Sequence, residues 1–278
     1  MARVRIQVEL TTRCNHNCSY CPRYIIPKTR PLGDITPMLC DLLISRVSEV
    51  AEDSKIMVCV SGFGEPTLYP NLVGFLRKIK STSNAITRLN TNASFLHKVG
   101  SDIISSNCLD RLTVGLNLPT EELYEKHTGS TDFTTACRNI VEFLKEKGTQ
   151  SPPTEIYIIK TPETSPYLEE SMEHWKKHLN QNDRVSTAGL LNWGGLVGEP
   201  QDPRTTPCRF QQDLAGKRLT IDKDGYAGVC CFSIAVNPSH PLIVGNIKEH
   251  SINELLVLAE RRAQTLIGSR ICEKCNND

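Results

Sequence analysis

Six apolar runs of strand length, each but the last answered by a helical pattern, restrict this chain to a small set of folds. The first run, over residues 4–10, alternates Val4, Ile6, Val8 and Leu10 with polar residues, the two-residue period of a strand. Thr36-Pro37 then opens a helix with apolar positions Met38, Leu39, Leu42, Leu43, Val47 and Val50, proline being well suited to a first helical turn. The unit recurs. Strands are expected over 56–60, 86–89, 112–116, 155–159 and 185–190, with helices over 72–79, 95–104, 133–144 and 167–179. Alternating strands and helices imply a parallel sheet with helical crossovers. Six units fall short of the eight of a closed barrel, so the expected fold is α/β, a partial (β/α)6 barrel with its chemistry at the C-terminal ends of the strands.

After Trp193 the pattern stops. Gly194, Gly195, Gly198, Pro200, Pro203 and Pro207 crowd one short stretch, which reads as a boundary between domains over 1–196 and 197–278. Beyond it a hairpin is expected over 218–230, turning at Asp224-Gly225. Ser251 followed by Glu254 is a capping-box pattern, and Leu255, Leu256, Leu258 and Ala259 supply the apolar stripe of a closing helix.

The 278 residues, 39% of them hydrophobic, suffice for a full core. With 32 basic and 31 acidic residues the net charge is +1, and no Lys/Arg-dense run appears, so nucleic acid is not an expected partner. No signal-peptide core opens the chain and no run nears the ~18 apolar residues of a membrane helix. A cytoplasmic protein acting on a small molecule, away from membranes, is expected. Twelve cysteines in a reducing compartment point to metal or redox chemistry rather than a disulfide scaffold. Cys14, Cys18 and Cys21 cluster near one end, and Cys208, Cys230, Cys231, Cys272 and Cys275 near the other. Cys40, Cys59, Cys108 and Cys137 sit among apolar neighbours and read as small buried hydrophobes.

Cys14-Asn-His-Asn-Cys18-Ser-Tyr-Cys21 falls where the first strand ends. Three thiolates can bind three irons of a cubane and leave the fourth open. Zinc is the other reading, and it would need His16 as fourth ligand. The CxxxCxxC spacing resembles the radical S-adenosylmethionine (SAM) superfamily, whose cofactor chelates the open iron and yields a 5'-deoxyadenosyl radical. The resemblance places Tyr20 near the adenine. Gly62-Phe-Gly64-Glu65-Pro66 is similar to the motif that binds the methionine amino group, with Phe63 interrupting its glycine pair. Thr91-Asn92-Ala93 resembles a Thr-Asn-Gly motif after the third strand, and Asn117, after the fourth, would meet the ribose.

Cys208, Gly225-x4-Cys230 and Cys272-x2-Cys275 together resemble a shortened SPASM region, or twitch domain. That resemblance implies a second [4Fe–4S] cluster on Cys208, Cys230, Cys272 and Cys275, zinc on four cysteines being the alternative. Within the superfamily the chain is similar to the radical dehydrogenases that oxidise 2-deoxy-scyllo-inosamine in aminoglycoside biosynthesis. The likeness extends to the Gly194-Gly195 linker, a turn at Gly245-Asn246-Ile247 and the ending after Cys272. It implies an alcohol oxidised to a ketone, with the auxiliary cluster as electron acceptor and a flavodoxin- or ferredoxin-type external donor. Trp193 stands where those dehydrogenases carry a substrate-binding arginine, and Cys231 where they carry an aromatic residue. A thiol at Cys231 could donate a hydrogen atom, as a cysteine does in radical epimerases of aminoglycosides, so epimerisation is the alternative reaction. Peptide modification is a third reading, disfavoured because no leader-binding segment is expected before the first strand. A non-catalytic electron-transfer protein would need none of Tyr20, the Gly64-Glu65 pair or Asn92.

Overall fold

In the computed structural model the described residues are 3–50, 55–197, 218–266, 272, 274 and 275. Strands β1 (Arg3–Val8), β2 (Lys55–Val60), β3 (Ile86–Thr91), β4 (Arg111–Asn117), β5 (Thr154–Lys160) and β6 (Arg184–Gly189) pair in parallel in chain order. Their crossovers are α1 (Pro37–Ser48), α2 (Leu72–Thr82), α3 (Gly100–Ser106), the pair α4 (Glu121–Thr128) and α5 (Phe133–Lys147), and α6 (Leu168–Lys176). Thr36 caps α1 by accepting from the Leu39 N–H, as Thr-Pro suggests. Helix α4 was not expected from the sequence.

The strands sort their side chains by parity. Ile6, Val8, Val58, Val60, Leu89, Leu112, Val114, Ile156 and Ile158 are buried with Leu43, Phe75, Leu76, Ile140 and Phe143 in one core between sheet and helices. Each such burial contributes about 1.5–3 kcal/mol. The alternate residues, among them Arg5, Gln7, Cys59, Arg88, Thr113 and Tyr157, are half-buried on the other face, the inner wall of the partial barrel. Cys40 and Cys108 are buried hydrophobes as expected. Cys59 and Cys137 are only partly buried, because Cys59 has the parity of the inner wall and Cys137 lines a cavity between α5 and α6.

The C-terminal hairpin extends the barrel sheet. Strand β7 (Arg218–Ile221) lies parallel to β1, and β8 (Tyr226–Gly228) and β9 (Ile243–Asn246) follow antiparallel, giving the order β6-β5-β4-β3-β2-β1-β7-β8-β9. Asp222 accepts from the Asp224 and Tyr226 N–H groups to form the turn, where Gly225 has φ +88°. Strand β8 ends at Gly228, earlier than expected, because the chain folds into a 3-10 turn at Cys231–Ala235 that sets Ser233 against Gly228. Gly245 and Asn246, expected in a turn, belong instead to β9. Helix α7 (Ile252–Thr265) carries the expected capping box, with Ser251 and Glu254 bonded reciprocally. After β6, Trp193, Gly194 and Gly195 all have positive φ. Among the described residues no helix is long and apolar enough to cross a membrane.

Candidate active site

The cysteine loop leaves the C-terminal end of β1, and the residues between its cysteines bond it in place. Asn15 donates to Ser94 Oγ (2.9 Å) and accepts from Asn92 Nδ2 (2.9 Å). The Asn17 and Ser19 N–H groups donate to the carbonyls of Thr128 (2.9 Å) and His127 (2.7 Å) at the end of α4. His16 is buried and engaged at both nitrogens: Nδ1 meets Asn92 Nδ2 (3.3 Å), while Nε2 meets Asp132 (3.2 Å), Ser94 (3.2 Å) and Tyr124 (3.2 Å). Burial would lift the Asp132 carboxyl, but hydrogen bonds from Ser130 and Ser94 and the nearby His16 hold it below the ordinary range. With both nitrogens occupied, His16 is a brace for the loop and a poor zinc ligand.

The strand-end motifs converge on this loop. An added Cβ at Gly64 would stand 2.0 Å from the Thr11 carbonyl oxygen, and the Glu65 N–H donates to the Arg13 carbonyl (2.7 Å). Only glycine permits that approach. Gly62 is confined as well, by the Glu9 side chain at 2.6 Å. The buried Glu65 carboxylate accepts from Thr67 N (3.0 Å), Thr67 Oγ1 (2.6 Å), Thr91 Oγ1 (2.6 Å) and Asn92 N (2.8 Å). It ties the ends of β2 and β3 together and keeps acceptor capacity at Oε2. Ala93 takes φ +66°, the conformation for which its counterpart glycine is suited. Asn117 also has positive φ and follows an irregularity in the β4–β5 register. The Tyr20 hydroxyl lies beside Cys18 and Asn117, yet it is buried without a hydrogen bond of ordinary geometry.

The second group of cysteines gathers beyond β8. Cys230 and Cys272 share a small apolar cluster with Val229, Phe232, Leu242 and Leu266. The Cys275 N–H donates to the Cys272 carbonyl (3.1 Å), and Cys231 opens the 3-10 turn beside Cys230. Cys208 lies outside the described residues.

The sequence profile of the radical SAM superfamily matches residues 8–176, more than half of the chain. The chain belongs to the radical SAM superfamily. A SPASM profile, an iron-sulfur cluster-binding domain, matches residues 208–277. The chain is also similar to a "Probable GTP 3',8-cyclase" of Halobacterium salinarum, 24% identical over 172 residues. That match covers 61% of this chain and 46% of the relative, so the chain spans about half the length of the curated relatives it matches. Among solved structures, BtrN in complex with AdoMet and 2-DOIA superposes with TM-score 0.64 at 18% identity, covering 98% of this chain and 92% of that one. For anSMEcpe with bound AdoMet and Cp18Cys peptide the values are 0.69, 13%, 98% and 88%. At such identities these likenesses show the fold.

A radical SAM protein with a SPASM domain uses SAM, a [4Fe–4S] cluster and further iron-sulfur ligation. The residues present fit those groups. Three thiols stand at the sheet's C-terminal rim, none in a disulfide, and Gly64 presses the glycine-rich segment beneath them. The unpartnered Tyr20 hydroxyl offers a polar contact at the edge. Burial pushes the Cys14 thiol up to about 11 and Cys21 up to about 12, and raises Cys18; the other thiols of the trio add a smaller repulsion at Cys14 and Cys21. Cys230 is raised well above its ordinary value by burial, with Cys231 and Cys272 adding to it. Loading iron at either site must therefore release protons.

One pair at the rim escaped the sequence reading. Glu9 and Arg30 form a buried ion pair, Glu9 also accepting from the Phe63 N–H (3.1 Å). Burial pushes Glu9 up to about 7 despite the opposing Arg30, and Asp222, also buried, is raised by its own desolvation. Single charged residues at strand ends look like surface in a sequence. Here β7 docking on β1 covers them.

Proposed function

We propose that this radical SAM enzyme removes a carbon-bound hydrogen from a small polar substrate, a sugar, amino sugar or aminocyclitol, and oxidises an alcohol to a ketone. When bound, the first cluster with SAM supplies hydrogen-atom abstraction, and the second supplies an electron sink. Cys14, Cys18 and Cys21 would hold the first; Cys230, Cys272, Cys275 and Cys208 would hold the second. Glu65, with Thr91 and Asn92, would orient the methionine amino group, and Tyr20 and Asn117 the nucleoside.

The observation that carries this reading is the packing around Phe232. It joins the small cluster of Ile26, Phe63, Ile234, Ala235, Cys21 and Trp193, and also the cluster containing Cys230 and Cys272. One side chain thus touches the surroundings of both cysteine groups, as an oxidase that passes an electron from its substrate to a second centre requires. Trp193, packed at a tilt against Phe63 with 4.9 Å between ring centroids, would wall the same mouth.

Epimerisation is the second reading, favoured by the position of Cys231 next to Cys230. Reaction in deuterated solvent separates the two. Dehydrogenation gives a product lighter by two hydrogens, without solvent deuterium at the carbonyl carbon, and Cys231→Ala changes the rate only modestly. Deuterium at unchanged oxidation state, lost in Cys231→Ala, would install the epimerase.

A further inference from the structure

The charged residues that β7 brings to the rim do not balance. Glu9 continues the β1 ladder by one residue, its N–H donating to the Ile221 carbonyl (2.9 Å). Gln7 pairs with Thr220 in that ladder, so Glu9 and Asp222 come next and share the parity of the inner wall. Both carboxylates are buried, and Arg30, itself buried, is the cation that acts on both. Lys223 is taken up by Asp224 (2.8 Å). Two carboxylates thus share one guanidinium. Burial raises both of them, Glu9 to about 7, as expected where a full counter-charge is lacking.

The hydrogen bonding is incomplete as well. Glu9 accepts at Oε1 from the Phe63 N–H (3.1 Å) and at Oε2 from Arg30 Nη2. Asp222 uses Oδ1 for the turn, accepting there from the Asp224 and Tyr226 N–H groups (2.9 Å each). Arg30 Nε and Nη1, which carry three of the five guanidinium N–H groups, are buried without a partner. Buried donors are ordinarily satisfied.

These residues belong to the candidate active site. Phe63, whose N–H bonds to Glu9, stands in the glycine-rich segment beneath the cysteine loop, and its ring lies in one cluster with Cys21, Ile26 and Trp193. Arg30 ends the short helix Ile26–Thr29 that follows Cys21. Asp222 opens the turn of the hairpin that leads to Cys230.

We infer that Glu9, Arg30 and Asp222 recognise an amino group beside a hydroxyl on the substrate. The hydroxyl oxygen accepts from the unpartnered Arg30 donors, and the ammonium sets its charge against the unbalanced carboxylates. A phosphate or carboxylate in the same place would meet two like charges. The substrate is accordingly a vicinal amino alcohol rather than a plain or phosphorylated sugar. This narrows the class proposed above and rests on that reading for the place of the substrate in the barrel mouth.

The test is equilibrium binding of glucosamine, glucose and glucose 6-phosphate to anaerobically reconstituted enzyme loaded with SAM. Glucosamine should bind on the order of tenfold more tightly than glucose, and glucose 6-phosphate no more tightly than glucose. Asp222→Asn keeps an oxygen for the turn, and should erase the preference while leaving glucose binding as in the parent. Arg30→Lys keeps the charge but loses the planar fork, and should weaken glucosamine and glucose by a similar factor. Lys78→Ala, on the outer surface, should bind as the parent does. Iron content and melting temperature confirm that the variants fold. Binding of glucose or glucose 6-phosphate as tight as that of glucosamine, absence of a saturable sugar site, or an Asp222→Asn variant that keeps the preference would overturn the inference. So would loss of SAM affinity in these variants with sugar binding unchanged, which gives the three residues to the cofactor. Amine-selective binding without ketone formation supports the site and counts against the oxidation. Ketone formed from glucose as fast as from glucosamine overturns the site and leaves the oxidation standing.

Discussion

The two cysteine-bearing regions are held by different forces. In the loop of Cys14, Cys18 and Cys21 the spacer residues Asn15, His16, Asn17 and Ser19 bond to the ends of β3 and α4. Around Cys230 and Cys272 the described side chains are mostly apolar, Phe232, Leu242 and Leu266, with Ser233 donating to the Cys230 carbonyl, and the thiols come from segments far apart in the chain. A polar network fixes direction before any metal arrives. The second region joins segments far apart in the chain, so it should depend more on its cluster for order.

The largest effect should come from the backbone contact beneath the first loop. Gly64→Ala places a methyl group where the Thr11 carbonyl stands, and backbone cannot yield as a side chain can. Cofactor cleavage should fall to background and bound iron by about half, as measured by 5'-deoxyadenosine and iron assays. Retention of both would mean that the first loop is not pre-set.

Next in size, Cys272→Ala should lower iron from about eight to about four atoms and reduce solubility, while SAM still binds at the first site. Full iron content in that variant would make the second region a bystander fold.

A smaller effect is a pH dependence seated where the two regions meet. Burial raises Glu9 to about 7, so its protonated form is favoured in the folded chain. The associated stability is present below the unfolded value of about 4.5 and is lost as pH rises through about 7. Denaturant titrations should show parent stability falling by about 3 kcal/mol across that interval, and Glu9→Gln should flatten the slope. A parallel slope in the variant would remove Glu9 from the account.

The same contrast explains what could be read from the sequence. Strands β1, β2, β4 and β5 were visible because each carries helix-facing apolar residues at alternate positions, and the cysteines were visible because short-range spacing defines their loop. Helix α4 was not visible, since within 119–128 only Leu123 and Tyr124 are large and apolar. Its stability is tertiary, through Tyr124 on His16 and Phe133. Strand β9 is four residues long and owes its extended form to pairing with β8. The docking of β7 on β1, and with it the burial of Glu9 and Arg30, depends on pairing across more than two hundred residues that no local pattern announces.

The most direct test of the account concerns where the radical is made. Parent protein and a variant with Cys14, Cys18 and Cys21 all changed to Ala are reconstituted anaerobically, reduced with dithionite in the presence of SAM, and assayed for 5'-deoxyadenosine. The parent should form it, while the variant should form none and keep about four irons at the second site. A variant that makes 5'-deoxyadenosine at the parent rate would contradict the assignment of that loop.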